Sequence, residues 1–249
     1  MKLIIALIVF SALGMSLLML SACRGKDKKE KRHEGGDKVT TQIRSVRSFS
    51  KIYVEGIFPV ELSQDGSGME SVKVEAEEDV QQHIHVTNDG DKLSITMDDN
   101  ALTDKSKKIK VFINLKKIDE LEFKSVGSLT TWGPLKLDSL QVNSESVGKL
   151  NLEIEADFLR TNLNSVGATT LKGKVREARI NNKSVGTLSA YGLKAGTLMI
   201  HNTAIGTAEV YADSAFYIRS ESVGTLYYKG PGLIKEMDVA GVGQVKKVE

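Results

Sequence analysis

The chain has 249 residues, 41% of them hydrophobic, and a formal net charge of +2 at neutral pH. Its only cysteine is Cys23, so an internal disulfide is excluded and the folded part must be stabilised by apolar burial. Residues 39–249 carry 26 basic and 28 acidic side chains. This nearly neutral balance gives no support for nucleic-acid binding.

Residues 1–22 are predicted to be a lipoprotein signal peptide. Lys2 supplies a short positive region, residues 3–20 are apolar apart from small residues, and the sequence LSAC at residues 20–23 has the form of a bacterial lipobox. The motif predicts that Cys23 carries a lipid and becomes the first residue of the mature protein. A plain signal peptide and a single membrane-spanning helix are the alternatives, although the apolar run is short for a span.

Residues 23–42 are predicted to be the lipidated cysteine and a disordered, charged tether. The segment RGKDKKEKRHEGGDK, residues 24–38, contains 7 basic and 4 acidic residues and no apolar residue that could join a core. A solvated spacer is the simpler interpretation. An electrostatic patch against anionic lipid head groups is the alternative.

Residues 43–124 are predicted to form irregular coils that begin and cap a solenoid. Short segments with strand-like alternation are separated there by loops rich in Gly, Asp, Asn and Ser. The predicted strands are residues 52–56, 60–62, 72–74, 93–95, 109–113 and 121–123.

Residues 125–249 contain a tripeptide repeat. Ser-Val-Gly begins at residues 125, 146, 165, 184 and 222, Ala-Ile-Gly begins at residue 204, and Gly-Val-Gly begins at residue 241. Successive copies are 21, 19, 19, 20, 18 and 19 residues apart. The residues four and six positions after each Ser are mostly apolar, which is the two-residue period of a strand with one buried face. The pattern predicts regular coils of about 19–20 residues.

An all-β parallel β-helix accounts for this repeat, because a sandwich would give short strands without returning to one tripeptide at a fixed interval. Coils stacked about 4.8 Å apart would place like residues above like. The Val of each motif is expected to form an inner ladder, and the Gly after it to allow a bend or a positive φ. Asn143, Asn162 and Asn181 occupy equivalent places, so their amides are expected to hydrogen-bond along a column.

Several segments carry a family resemblance: FSKIYVEG at residues 49–56, VEL at 60–62, VKVEA at 72–76, LYYKGP at 226–231 and GVGQVKK at 241–247. From about residue 43 to the end, the chain resembles the bacterial putative auto-transporter adhesin head (GIN) domain family. Members usually carry Gly-Ser-Gly in their repeats, where this chain has Ser-Val-Gly. The resemblance implies a right-handed, single-stranded β-helix and a lipid-anchored or secreted envelope protein, and it supplies no catalytic motif.

One outward column is a candidate ligand-binding face. The residues seven positions after each Ser lie between inward positions and should face solvent, and Tyr227 is outward by the same alternation. Exposed aromatic rings with lysines between them could stack on sugar rings or pack against a partner. The structural alternative is that aromatic residues favour exposed strands and pack along one another. The candidate residues, called here the aromatic column, are Trp132, Lys172, Tyr191, Tyr211, Tyr227 and Lys229.

Two carboxylates suggest an alternative in which the chain is a carbohydrate-active enzyme. Asp138 and Asp157 both lie eight residues before a motif, so they could stack one coil apart, and Arg176 holds the next place. Paired carboxylates about 5 Å apart can divide acid and nucleophile roles, but aspartate is also common at strand corners. The serine column has no histidine in register to act as a base.

His83 and His85 could point to the same side of a strand and offer two metal ligands, but no cysteine or clear third ligand accompanies them. We therefore predict neither a metal nor a cofactor.

The sequence thus predicts a non-enzymatic, lipid-anchored envelope module, adhesin-like, that uses an exposed β-helix face for multivalent contact. Its expected partners are the membrane, through Cys23, and a glycan or a surface protein, with no nucleic acid. The alternatives are the enzyme centred on Asp138 and Asp157, and a self-associating scaffold in which the chain forms a homo-oligomer. The expected location is the bacterial cell envelope, as an outer-membrane lipoprotein whose periplasmic or surface orientation stays open.

Overall fold

The structure is a computed structural model that describes residues 38–98 and 108–249. Stacked parallel coils form a β-solenoid of about seven turns, which confirms the predicted fold class. Within the two described ranges, no helix is long and apolar enough to cross a membrane. The predicted signal peptide, Cys23 and residues 24–37 of the tether lie outside the described residues. Residues 39–42, which the sequence assigns to the tether, instead belong to the first strand.

The described residues of the N-terminal coils contain seven strands: β1 (Val39–Arg44), β2 (Lys51–Gly56), β3 (Val60–Ser63), β4 (Ser71–Glu77), β5 (Ile84–Asp89), β6 (Lys92–Met97) and β7 (Lys110–Asn114). The strands β2, β3, β6 and β7 make parallel pairs within the stack. At the edge of the sheet the pairing becomes antiparallel, between β1 and β4, β4 and β7, and β5 and β6. Three of these strands, β1, β4 and β5, pair only in this antiparallel manner. Sequence reasoning missed β1, and it gave β5 only as a possible strand around His85.

The repeat coils contain nine strands: β8 (Glu120–Trp132), β9 (Leu135–Ser144), β10 (Val147–Leu163), β11 (Val166–Asn182), β12 (Val185–Asn202), β13 (Ile205–Ser220), β14 (Val223–Lys229), β15 (Leu233–Val239) and β16 (Gln244–Lys247). All their mutual pairings are parallel. Each motif lies on its counterpart, as where Gly148 pairs with Gly167 and Gly167 with Gly186. The 19-residue interval is therefore the length of one turn.

Stacked apolar side chains fill the interior of the repeat coils. The column four residues after each Ser is buried, and Leu150, Leu188 and Leu226 are at most 2% exposed. The column six residues after each Ser is buried at Leu152, Leu171 and other positions. Full burial of a leucine stabilises by roughly 1.5–3 kcal/mol, so successive coils bind one another mainly through these columns.

The predicted inner valine ladder is wrong, because the motif's β-branched residues face solvent. Their side chains are 46–55% exposed, and they are Val126, Val147, Val166, Val185, Ile205 and Val223. The serine before each valine points inward instead. Buried hydroxyls need partners, and here they find each other: Ser146 Oγ lies 3.1 Å from Ser165 Oγ and 3.0 Å from Ser144 Oγ.

The motif glycine is required by the close approach of one coil to the next. Gly148 has φ 143°, and a Cβ on it would lie 1.9 Å from the carbonyl oxygen of Gly127 in the preceding coil. The expected positive φ is thus confirmed. The expected asparagine column holds over one step, in which Asn162 Nδ2 donates to Asn143 Oδ1 at 2.7 Å. It does not continue to Asn181, whose buried Oδ1 has no hydrogen-bond partner in the described chain.

Candidate functional site

Trp132 stands at the end of β8 and is 78% exposed. Strand alternation explains this position, because Leu129 three residues earlier is inward and the chain turns at Gly133, which has φ 79°. Three coil steps separate Trp132 from Tyr191, which is roughly 14 Å at the usual strand spacing. A large apolar ring left so exposed on a rigid strand can stack on a ligand without first being ordered.

The tyrosines of the aromatic column form a separate cluster with two lysines. Lys229 Nζ lies 4.4 Å from the ring centre of Tyr191, and Lys194 Nζ lies 3.6 Å from that of Tyr211. Burial raises the pKa of Tyr191, with the charge of Glu209 as the next contribution. These cation–π contacts hold the half-buried rings in fixed orientations.

The structure therefore divides the predicted aromatic column into two parts. Tyr191, Tyr211 and Lys229 are neighbours, and Tyr227 lies one residue from Tyr228 on the same β14 strand as Lys229. Trp132 and the exposed Lys172 lie on earlier coils, outside this cluster.

Sequence reasoning missed Lys194, because the pairing of β12 with β11 is shifted by one residue relative to the spacing of the repeat. A register shift between Thr170 and Lys172 sets Lys174 opposite Lys194. No motif marks this irregularity.

Asp138 and Asp157 occupy successive coils as predicted, since Leu137 pairs with Ala156 beside them. Each of the two carboxylates has its own cation. Lys117 Nζ contacts Asp138, and Arg176 Nε lies 3.5 Å from Asp157 Oδ1. Both aspartates are also well exposed, at 82% and 65%. The arrangement resembles solvated surface ion pairs more than a pair of carboxylates that divide acid and nucleophile roles.

His83 and His85 share a carboxylate that sequence reasoning did not find. His83 Nδ1 lies 3.1 Å from Asp98 Oδ2, and His85 Nε2 lies 2.7 Å from Asp98 Oδ1. These two hydrogen bonds hold the pKa of Asp98 below its ordinary value. Across residues 38–98 and 108–249, no group of three or more His, Cys, Asp or Glu side chains is arranged to hold a metal ion.

The structure also contains a groove that the sequence did not reveal. It crosses the outward face formed by the later part of each repeat coil. Its volume is about 480 Å³, and its residues come from β10, β11, β12, β13 and β15. Arg160, Arg179 and Arg219 line it together with Asn181 and His201. These residues share no sequence motif, and parallel stacking alone brings them together.

Comparison with known proteins places this architecture in a family. Residues 48–232 match the sequence model of a family described as putative auto-transporter adhesin, head GIN domain. A crystal structure of a putative adhesin from Bacteroides fragilis is 23% identical, with a TM-score of 0.81 over 86% of this chain and 99% of that one. A putative adhesin from Parabacteroides merdae is 21% identical, with a TM-score of 0.60 over 86% and 98%.

A third similar structure is a putative lipid binding protein from Parabacteroides distasonis. It is 19% identical, with a TM-score of 0.65 over 86% of this chain and 98% of that one. No curated protein matches the chain. At these identities, the likeness to the solved structures shows the shared fold alone.

Proposed function

The chain belongs to the putative auto-transporter adhesin, head GIN domain family, and on that premise we propose that it is a lipid-anchored, adhesin-like binding module of the bacterial cell envelope. Membership of an adhesin-like family indicates a cell-envelope or surface protein. The LSAC sequence at residues 20–23 supports a lipid anchor at Cys23 in the outer membrane, which would present the solenoid from a membrane surface.

The observation that carries the binding role is the aromatic column on a rigid stack of coils. Trp132 offers a nearly free ring, and Tyr191 and Tyr211 offer rings already ordered by lysines. Rigid aromatic anchors lose little conformational entropy on binding and are enriched among residues that dominate binding energy. A glycan or a surface protein is the proposed ligand.

Repetition supports multivalent contact. Parallel stacking repeats the same outward positions about every 4.8 Å, so several weak contacts can act on one extended ligand. Tethering several copies to one membrane would raise the effective concentration further. We therefore expect low affinity for a single short ligand and strong retention on a surface that displays many copies of it.

The test is an array of glycans and matrix proteins probed with the full chain in a mild non-ionic detergent, beside a Trp132→Ala/Tyr191→Ala variant. We expect at least one ligand to be retained by the wild type and to bind the variant at least ~30-fold more weakly, the loss typical of a dominant contact residue. Met69→Ala is the matched control, because Met69 is also an exposed apolar side chain, at 70%, but lies outside the column.

Two results would contradict the proposal. One is an array on which the wild type binds nothing. The other is equal binding by the wild type and the Trp132→Ala/Tyr191→Ala variant.

The lipid anchor is tested by fractionating bacterial cells that express the chain. The wild-type protein should sediment with the membranes, and the Cys23→Ala protein should not. Persistence of the Cys23→Ala protein in the membrane fraction would exclude the lipid as its anchor.

A further inference from the structure

We propose that the chain carries a second binding site, for an extended anionic glycan, in the arginine groove on the later part of each repeat coil. The arginine groove is the 480 Å³ groove lined by Arg160, Arg179, Arg219, Asn181 and His201. The aromatic column uses the first half of each coil, so the two sites share no residue. The inference goes beyond the proposed function and does not depend on the aromatic column.

One unpaired arginine favours an anion in this groove. Three arginines line it, and the only carboxylate among its lining residues is Glu236. Arg160 and Arg179 pair directly across β10 and β11, which places two like charges on adjacent strands. Glu177 neutralises Arg179, and Arg219 is paired with Glu221 and Asp238, so the positive charge of the groove that is left unpaired is that of Arg160. Arg160 is exposed and makes no ion pair with any residue in the described ranges.

The other two arginines, Arg179 and Arg219, are each hydrogen-bonded through Nε, which leaves their terminal Nη groups available to a ligand. Arg179 Nε donates to Glu177 Oε1 at 2.7 Å, and Arg219 Nε donates to Glu221 Oε1 at 2.8 Å. In both cases the terminal Nη groups make no hydrogen bond within residues 38–98 and 108–249. Guanidinium groups bind carboxylate and sulfate oxygens through such paired donors, and a side chain already fixed at Nε loses less entropy on binding.

The floor of the groove has polar atoms that lack partners. Asn181 Oδ1 and His201 Nε2 are buried from solvent without a hydrogen bond in the described chain. His201 Nε2 is 3.7 Å from Glu221 Oε1, which is beyond hydrogen-bond range. Native proteins seldom leave such atoms unsatisfied. Because both atoms are closed to solvent, a sugar would reach them only after the Asn181 amide or the His201 ring rotates toward the groove. A hydroxyl group, which both donates and accepts, would then satisfy either group.

The groove also offers apolar surface in line with its charges. The outward column that begins with Arg160 and Arg179 continues with Met199 and Tyr217 on the next two coils. A sugar ring has an apolar face that packs on such side chains while its acidic substituent meets a guanidinium. From the level of Arg160 to that of Arg219 is three coil steps, roughly 14 Å, so the site suits an extended chain rather than a single small anion.

This combination distinguishes an anionic glycan from nucleic acid. Nucleic-acid sites need a dense basic surface against closely spaced phosphates. Here the folded part has more acidic than basic residues, and Glu177, Glu221, Glu236 and Asp238 border or line the groove. Three cations mixed with amide and apolar groups suit a ligand whose charges are separated by neutral sugar surface.

The experiment measures binding of the full chain to immobilised polygalacturonate, heparin and dextran at physiological salt. The first carries carboxylates, the second sulfates, and the third no charge. We expect the wild type to bind at least one of the two acidic glycans and not dextran. Arg160→Gln/Arg179→Gln should weaken that binding at least ~10-fold, the effect of about 1.4 kcal/mol. Circular dichroism confirms that each variant is folded.

A matched control separates a built site from general charge. Lys116→Gln/Lys149→Gln removes the same charge from two exposed lysines outside the groove, and it should bind as the wild type does. Trp132→Ala/Tyr191→Ala should also retain acidic-glycan binding, which distinguishes this site from the aromatic column. The proposal is overturned if neither acidic glycan binds, if the lysine control loses as much affinity as the arginine variant, if the loss follows the aromatic variant instead, or if duplex DNA binds more tightly than either glycan.

Discussion

Inward side chains are shielded from solvent more completely in the N-terminal coils than in the last repeat coils. Among residues 38–124, which include the first five residues of β8, Phe58, Leu62 and Phe123 are fully buried, and antiparallel β1 and β4 lie at the sheet edge. At the other end, β15 is exposed along all seven of its residues, although it continues the same inward columns. A solenoid residue is stabilised mainly by the coils on either side of it. Position along the stack therefore decides how much an apolar side chain contributes.

The largest expected effect tests this difference directly. Phe123→Ala should lower the free energy of unfolding by about 3–5 kcal/mol, because it leaves a cavity in a closed interior. Ile234 points inward from β15 above Phe216 but remains 39% exposed, so Ile234→Ala should cost less than about 1 kcal/mol. Urea denaturation of both variants measures the two values. Equal losses would show that the two ends are packed alike.

A somewhat smaller effect should separate repeat glycines from loop glycines. Gly148→Ala should cost about 3 kcal/mol, since the new methyl would overlap the Gly127 carbonyl and φ is 143°. Gly90, in the loop between β5 and β6, has φ 57° and open space where a Cβ would lie. Gly90→Ala should therefore cost only about 1 kcal/mol. Denaturation midpoints give both numbers, and a mild effect at Gly148 would mean that coils can move apart locally.

Much of the fold could be predicted because each coil of a solenoid carries the same sequence pattern. The recurrence of Ser-Val-Gly gives the coil length, and the two-residue period identifies Leu150 and Leu152 as inward. The same period, extended back four residues, places Ser146 inward and Val147 outward. The predicted valine ladder followed hydrophobicity instead of this alternation. An inward serine at this position is stable because its hydroxyl bonds to serines of its own and the neighbouring coil. The sequence of a single repeat does not show these partners.

The candidate sites were less predictable because they depend on contacts between distant residues. Outward alternation identified Trp132, but a register shift in β12 concealed the contact between Lys194 and Tyr211. Similarly, nothing in the sequence joins Asp98 to His85, which lies 13 residues away across β5 and β6. The arginine groove has no motif at all, since its residues meet only when successive coils stack in register.

The smallest expected effect compares one local contact in the two regions. Tyr53 Oη donates to Glu55 Oε2 at 2.6 Å in the N-terminal coils, and Tyr211 Oη donates to Asp213 Oδ1 at 2.7 Å in the repeat coils. Both contacts span two residues, and the pKa of each phenol is raised, but the causes differ. Burial contributes most to the raised pKa of Tyr53, whereas the hydrogen bond to Asp213 contributes most for Tyr211.

Removing each carboxylate charge should therefore have unequal consequences. In Asp213→Asn, Tyr211 should ionise at a lower pH than in the wild type, because the bond that favoured its protonated form is weakened. In Glu55→Gln, the pKa of Tyr53 should stay above its ordinary value, because the ring is still partly buried on the outer face of β2. NMR titration of the two rings, assigned with Tyr→Phe variants, measures this. Ionisation of Tyr53 at an ordinary pH in Glu55→Gln would mean that the carboxylate, and not the partial burial of the ring, holds its proton.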